Sequence, residues 1–285
     1  MPTAKRPRRA KRSTPPTPRV CFPELSSRAY EHPADRAALA ALRKVKGVDL
    51  VLRKLMGLVG ERSLRLLFLG SAVRVEADQF ARLHRVYREC AETLDVRPVP
   101  ELYVTQTPLV NAGAVGVDQP FIVLNSALLD LLDDDELRFV LGHELGHVLS
   151  GHVLYKTMLQ LLLRVSLVLT GLPLGNLALF SIISALNEWD RKSEYSADRA
   201  GLLALQDPEL CYRVSMKMAG GGQVDQMSVD AFVRQAEEYE QAGNILDGAL
   251  KLLNLLGRSH PFHVLRLAEL KRWAETGDYP RILAG

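Results

Sequence analysis

Two imidazoles stand four residues apart around a carboxylate in His143-Glu144-Leu145-Gly146-His147. On a helix this spacing places both histidines on one face about a turn apart, where both can reach a single ion. Glu144 lies about 100° round from His143, near enough to take a proton from a metal-activated water without being a ligand. A catalytic zinc ion uses three protein ligands and keeps a fourth position open, so a third donor has to come from elsewhere in the chain. The best candidate is Glu194, in the stretch RKSEYSADR that starts at Arg191. Asp198, one turn further along the same helix face, can accept a ring N–H from a ligand histidine and fix its tautomer. Either signal alone also fits a solvated helix face with unrelated charges. Together they point to zinc-dependent hydrolysis, with one zinc ion per chain.

Those residues need helices to carry them and something to hold a substrate beside them. Asp133 and Glu136, three apart and followed by Leu137, Val140 and Leu141, form the pattern of a capping box. A helix is therefore expected to start there and run to about His152, carrying the metal-binding pair. Upstream, the segments ELYVT (101–105), LVNAGAVGV (109–117) and FIVL (121–124) alternate with Pro, Gly and Asp-Gln-Pro and read as a small sheet. The segment around Asn111, Ala112 and Gly113 is a candidate substrate-binding edge: small residues let an extended peptide approach and pair through its main chain. An ordinary interior strand weakened by glycine fits the same letters. Helical periodicity is expected over 33–55, 76–94, 229–239, 244–256 and 264–274. His84, His152 and His263 read as structural, His152 because it falls about 140° off the ligand face.

The combination His143-Glu144-Leu145-Gly146-His147 with Glu194-Tyr195-Ser196-Ala197-Asp198-Arg199 resembles the HtpX and CAAX-prenyl-protease family of zinc metalloendopeptidases, of the gluzincin type. Val110-Asn111-Ala112-Gly113-Ala114 and Ser259-His260-Pro261 with Arg266-Leu267 resemble two further elements of that family in the same order. The resemblance spans about residues 98–270. It implies a mainly α (α+β) zincin-like fold with a small β-sheet beside the zinc helix, hydrolysing peptide bonds in protein or peptide substrates. It also implies His143, His147 and Glu194 as zinc ligands, Glu144 as general base, and His260 near the ion as an electrostatic stabiliser or a resting-state blocker. Many relatives resemble integral membrane enzymes, and this sequence departs from them: 48–69 is interrupted by six charged residues and reads as amphipathic helix.

Charge divides unevenly along the 285 residues. Residues 1–19 hold seven Lys/Arg, five of the fifteen prolines and no acid, which leaves 29 bases against 33 acids in the body. The expected organisation is a disordered basic tail over 1–26, a helical N-terminal region over 27–95 and the metallopeptidase domain over 96–285. The tail lacks the apolar run of a secretory signal, and three widely spaced cysteines fit a reducing compartment, so a cytoplasmic placement is expected. An acidic body makes nucleic acid an unlikely partner. Residues 165–186 are free of charge, but Gly171, Pro173, Gly175 and Asn176 sit at their centre. An apolar helical hairpin over 158–187 is expected, packing as core or touching a membrane surface. The rival function is a zinc-binding, non-proteolytic scaffold that uses this hairpin for contact; the intact Glu144 speaks against it.

Overall fold

In the computed structural model, the described residues are 19–45, 48, 61–168, 176–241 and 262–284. The tail up to residue 18, the turn of the apolar hairpin, the helix expected over 244–256 and His260 lie outside them. In chain order the helices and strands are α1 (Pro33–Leu42), α2 (Glu61–Ser71), β1 (Val73–Arg74), α3 (Ala81–Thr93), β2 (Glu101–Thr105), β3 (Ala112–Val115) and β4 (Phe121–Asn125). There follow α4 (Ser126–Leu131), α5 (Asp134–Leu149), α6 (Val153–Val168), α7 (Asn176–Leu205), α8 (Pro208–Gly220), α9 (Val229–Gln241), α10 (His263–Glu275) and α11 (Asp278–Ala284). The expected class holds: mainly helical, with one small sheet beside the helix of the histidine pair.

The sheet runs β1-β2-β4-β3, with β2 and β4 parallel and the outer pairs antiparallel, so β3 is an edge strand. It is shorter than the alternation over 109–117 suggests. Leu109 is 69% exposed, and at the other end Gly116 adopts φ 134°, where a Cβ would come within 2.9 Å of Pro120 Cα. The strand stops at the residue that only glycine can supply. Helix α3 likewise starts later than its apolar stripe implies. Glu76 and Gln79 exchange backbone hydrogen bonds in a tight turn, and Phe80 takes a left-handed φ of 58° before the first helical residue.

Helix α5 begins where the capping box puts it. Asp133 Oδ1 accepts from the backbone N–H of Asp135 and Glu136 at 3.0 Å, and Glu136 Oε2 accepts from the N–H of Asp133 at 2.9 Å. Every residue from Glu136 to His147 is buried, which sets α5 in the middle of the molecule. Its most extensive partner is α7, and small residues explain the closeness. An added Cβ at Gly142 would lie 2.4 Å from Ala204 Cβ, and one at Gly146 would lie 2.4 Å from Ala200 Cβ. The two glycines are one turn apart, so they open one continuous groove along α5 for α7. Gly146→Ala should therefore destabilise the fold by about 1–3 kcal/mol through overpacking, despite about 1 kcal/mol gained in helix propensity. Denaturant midpoints measure this directly; an unchanged or raised midpoint would show that the helices have room to spare.

Residues ahead of the sheet are built into the same core. Tyr30 is fully buried, and its hydroxyl donates to Gly146 O at 3.3 Å. Helix α1 packs along α7. Residues 19–26, which charge and proline content assign to the tail, also dock on the body: Phe22 is buried and its N–H donates to Thr93 O, while Arg19 pairs with Asp135. The apolar residues of Phe22 and Leu25, late in that stretch, give it something to bury. Cys90 and Cys211 are buried free thiols and Cys21 is exposed. The described part of the hairpin packs inward, with Met158, Leu159, Leu162, Ile182, Leu186 and Trp189 forming a second cluster with Leu42 and Val48. No helix among the described residues is long and apolar enough to cross a membrane.

Candidate metal centre and active site

The groove between α5 and α7 brings three metal-ligating side chains together. His143, His147 and Glu194 are all buried, and one ligand atom from each lies within 4.8 Å of the other two. His143 Nε2 is 3.4 Å from Glu194 Oε2, and His147 Nε2 is 3.2 Å from Glu194 Oε1. Asp198 stands where the helix periodicity puts it, its Oδ1 2.9 Å from His143 Nδ1. That contact puts a proton on Nδ1, because a carboxylate only accepts, while Nε2 is turned to Glu194 and the converging donors. Glu144 lines a cavity of about 480 Å³ together with His147 and Glu194, and Asn111, Ala112 and Gly113 of the β3 edge line it too. The structure thus gathers every proposed site residue that it describes.

Helix α10 closes the centre. Arg266 donates to both oxygens of Asp198, at 2.8 and 2.5 Å, and its Nη1 lies 3.0 Å from Glu194 Oε2. On the other side, Lys156 Nζ donates to Asp190 Oδ1 and to Glu194 Oε1, both at 2.7 Å. The pattern described as "Peptidase family M48" matches residues 77–274. The chain belongs to peptidase family M48. It is 33% identical over 277 residues to the "Plastoglobule-localized metallopeptidase 48, chloroplastic" of Arabidopsis thaliana, an alignment covering 95% of this chain and 79% of that protein. It is 28% identical over 169 residues to a "Protease HtpX homolog" of Caldanaerobacter subterraneus subsp. tengcongensis, covering 48% and 56% of the two chains. With the "Protease HtpX homolog" of Pseudarthrobacter chlorophenolicus the identity is 28% over 223 residues, covering 71% and 76%. No solved structure matches the chain. As an M48 peptidase it is a metallopeptidase, and its substrates are proteins or peptides.

The electrostatics of this M48 centre suit a divalent cation. Around it, among the described residues, the carboxylates of Glu144, Asp190, Glu194 and Asp198 face the cations of Lys156 and Arg266. Carboxylates and imidazoles gathered this closely are a donor set that a doubly charged ion takes. Glu144 adds a second sign: its Oε2 is buried with no hydrogen-bond partner among the described residues. Burial, above all, raises its pKa. Burial opposes protonation of His143, but Glu194's charge and the bonds to Asp198 and Glu194 outweigh it, pushing the ring up to about 9. His147 goes the other way, lowered first by burial and then by the charge of Lys156. Asp198 is held low despite burial, because Arg266 sits against it.

Four neighbours of this M48 centre carry no assigned site role in the sequence reading. Asp190 had a readable signal, since Asp190, Glu194 and Asp198 recur every four residues on one face of α7. Lys156, one helix beyond the histidine pair, had none. Asp35 comes from α1, and His152, read as structural, follows the end of α5, where its angle on an extended helix no longer applies. His260, assigned near the ion by resemblance, lies outside the described residues.

Proposed function

We propose that this chain is a zinc endopeptidase in which His143, His147 and Glu194 hold one zinc ion and Glu144 is the general base. The observation that carries the reading is the convergence of the three donors, two of which, His147 and Glu194, line one cavity with Glu144 and the β3 edge. When bound, zinc would lower the pKa of a water and polarise the scissile carbonyl. The β3 edge pairs with the main chain of an extended peptide and presents its carbonyl toward Glu194 and the histidines. Glu144 takes a proton from the attacking water and returns it to the departing amine; a carboxyl whose pKa burial raises is suited to both steps. Asp198 holds His143 in its Nδ1–H tautomer. His260 is assigned the stabilisation of the tetrahedral oxyanion on the resemblance alone. The inward packing of Met158, Leu159, Leu162, Ile182 and Leu186 supports a role for these described parts of the hairpin as core over contact with a membrane surface.

Metal removal tests the reading. The purified protein should contain about one zinc per chain and cleave an unfolded protein internally; a chelator should abolish cleavage and added zinc should restore it. Cleavage that survives complete metal removal would refute the zinc mechanism. A chain that holds zinc and cleaves nothing would transfer support to the non-proteolytic scaffold.

A further inference from the structure

Asp35, in the first turn of α1, is fully buried and surrounded by donors. Trp189 Nε1 donates to its Oδ1 at 3.0 Å, and Ser196 Oγ donates to its Oδ2 at 2.6 Å. Ser196 is committed to that role, because its hydroxyl oxygen already accepts from the N–H of His32 at 2.9 Å. The third neighbour is His152, whose Nε2 lies 3.1 Å from Asp35 Oδ2. A carboxylate only accepts, so His152 carries a proton on Nε2. In the neutral ring Nδ1 is then bare.

That nitrogen lies 3.0 Å from Nδ1 of His147. Two bare ring nitrogens do not face each other at such a distance, so one of them must carry a proton. With Nδ1 of His152 bare, the proton belongs to His147. Nε2 of His147, 3.2 Å from the acceptor oxygen of Glu194, is then left bare for a metal ion, and an ion held between the two makes this tautomer consistent with both contacts. The ring of His152 cannot turn away easily. It is buried, meets His147 at 5.3 Å between centroids, and packs edge-on against Trp189 at 5.4 Å.

We propose that Asp35 and His152 are positioning residues of the metal centre, a relay that fixes the tautomer and plane of His147. The proposal rests on His147 being a metal ligand. Each ligand histidine then has its own carboxylate: His143 reaches Asp198 of α7 directly, and His147 reaches Asp35 of α1 through His152. Asp35 precedes residues 77–274, which the family pattern covers, so the N-terminal helix is a working part of the centre. Partners of this kind orient ligand imidazoles and raise their basicity, and losing one typically costs about 10–100-fold in metal affinity.

Competition titrations with zinc, and visible spectra of the cobalt(II)-loaded full chain, test the relay. His152→Phe keeps a ring on Trp189 but removes the acceptor, and should weaken zinc binding about 10–100-fold and shift the cobalt(II) bands. His152→Asn, whose Oδ1 falls near the position of the lost Nδ1, should recover most of that loss. Asp35→Asn should weaken binding in the same direction. If His147→Ala loses zinc while His152→Phe binds with wild-type affinity and an unchanged spectrum, the relay is wrong and the ligand set stands. Retention of zinc by His147→Ala would remove the ligand assignment and the relay with it. Should the His152 variants fail to fold, nuclear magnetic resonance of isotope-labelled histidine ring nitrogens in the unmodified zinc-loaded protein decides the matter. Protons on Nδ1 of His147 and Nε2 of His152 are expected, and the opposite tautomers would overturn the proposal.

Discussion

Glu144→Gln should lower turnover of an unfolded protein substrate by about 10²–10⁴-fold, the usual contribution of a general base, while the chain keeps its zinc. The amide has nearly the shape of the carboxylate, and Glu144 is not among the three converging donors, so geometry and metal should survive the change. What disappears is the capacity to take a proton. A second consequence separates this residue from a structural acid. Burial raises the pKa of Glu144, so the folded metal-free protein binds a proton there more tightly than the unfolded chain does. Stability of the wild type therefore falls as pH rises from the ordinary carboxylate range through the raised value. The glutamine variant lacks that loss and should be the more stable of the two at neutral pH without metal. Equal turnover in the two proteins, measured at matched zinc content, would refute the role assigned to Glu144.

The other large effect is on stability. Arg266→Ala should destabilise the protein by about 3–5 kcal/mol, because it strips a cation from buried carboxylates. Arg266 holds both oxygens of Asp198 and lies against Glu194. It also lowers the pKa of Asp198, and without it burial acts on that carboxylate unopposed by a guanidinium. Arg266→Lys should not repair the defect, since an ammonium cannot reproduce the fork that spans the two oxygens. Zinc should recover part of the loss by supplying positive charge at Glu194. Chemical denaturation with and without metal measures both effects; a loss below about 1 kcal/mol would mean that Lys156 and the remaining groups already compensate the site.

Much of this centre was legible because helical geometry is local. A spacing of four residues puts His143 beside His147 and Glu194 beside Asp198 in any helix, whatever else the chain does. The capping box at Asp133 and Glu136 is legible for the same reason, since both of its hydrogen bonds close within three residues. The positions of Gly142 and Gly146 were on the page as well, but their purpose was not. Only the arrival of Ala200 and Ala204 shows that they set the distance between α5 and α7.

The remaining partners are bound across long stretches of chain. Lys156 meets Asp190 and Glu194, Arg266 meets Asp198, and Asp35 meets His152. Lys156 and Asp35 read as ordinary charges, and His152 as a structural histidine, when their own segments are considered alone. The class of chemistry is already written in the order of residues: which of them can bind a metal, which can accept a proton, and that a small sheet stands beside them. Packing between helices sets which buried charges compensate one another and which ring nitrogens converge on Glu194. Those properties depend on how helices pack, and periodicity within one helix carries no information about the side chains that another helix delivers to it.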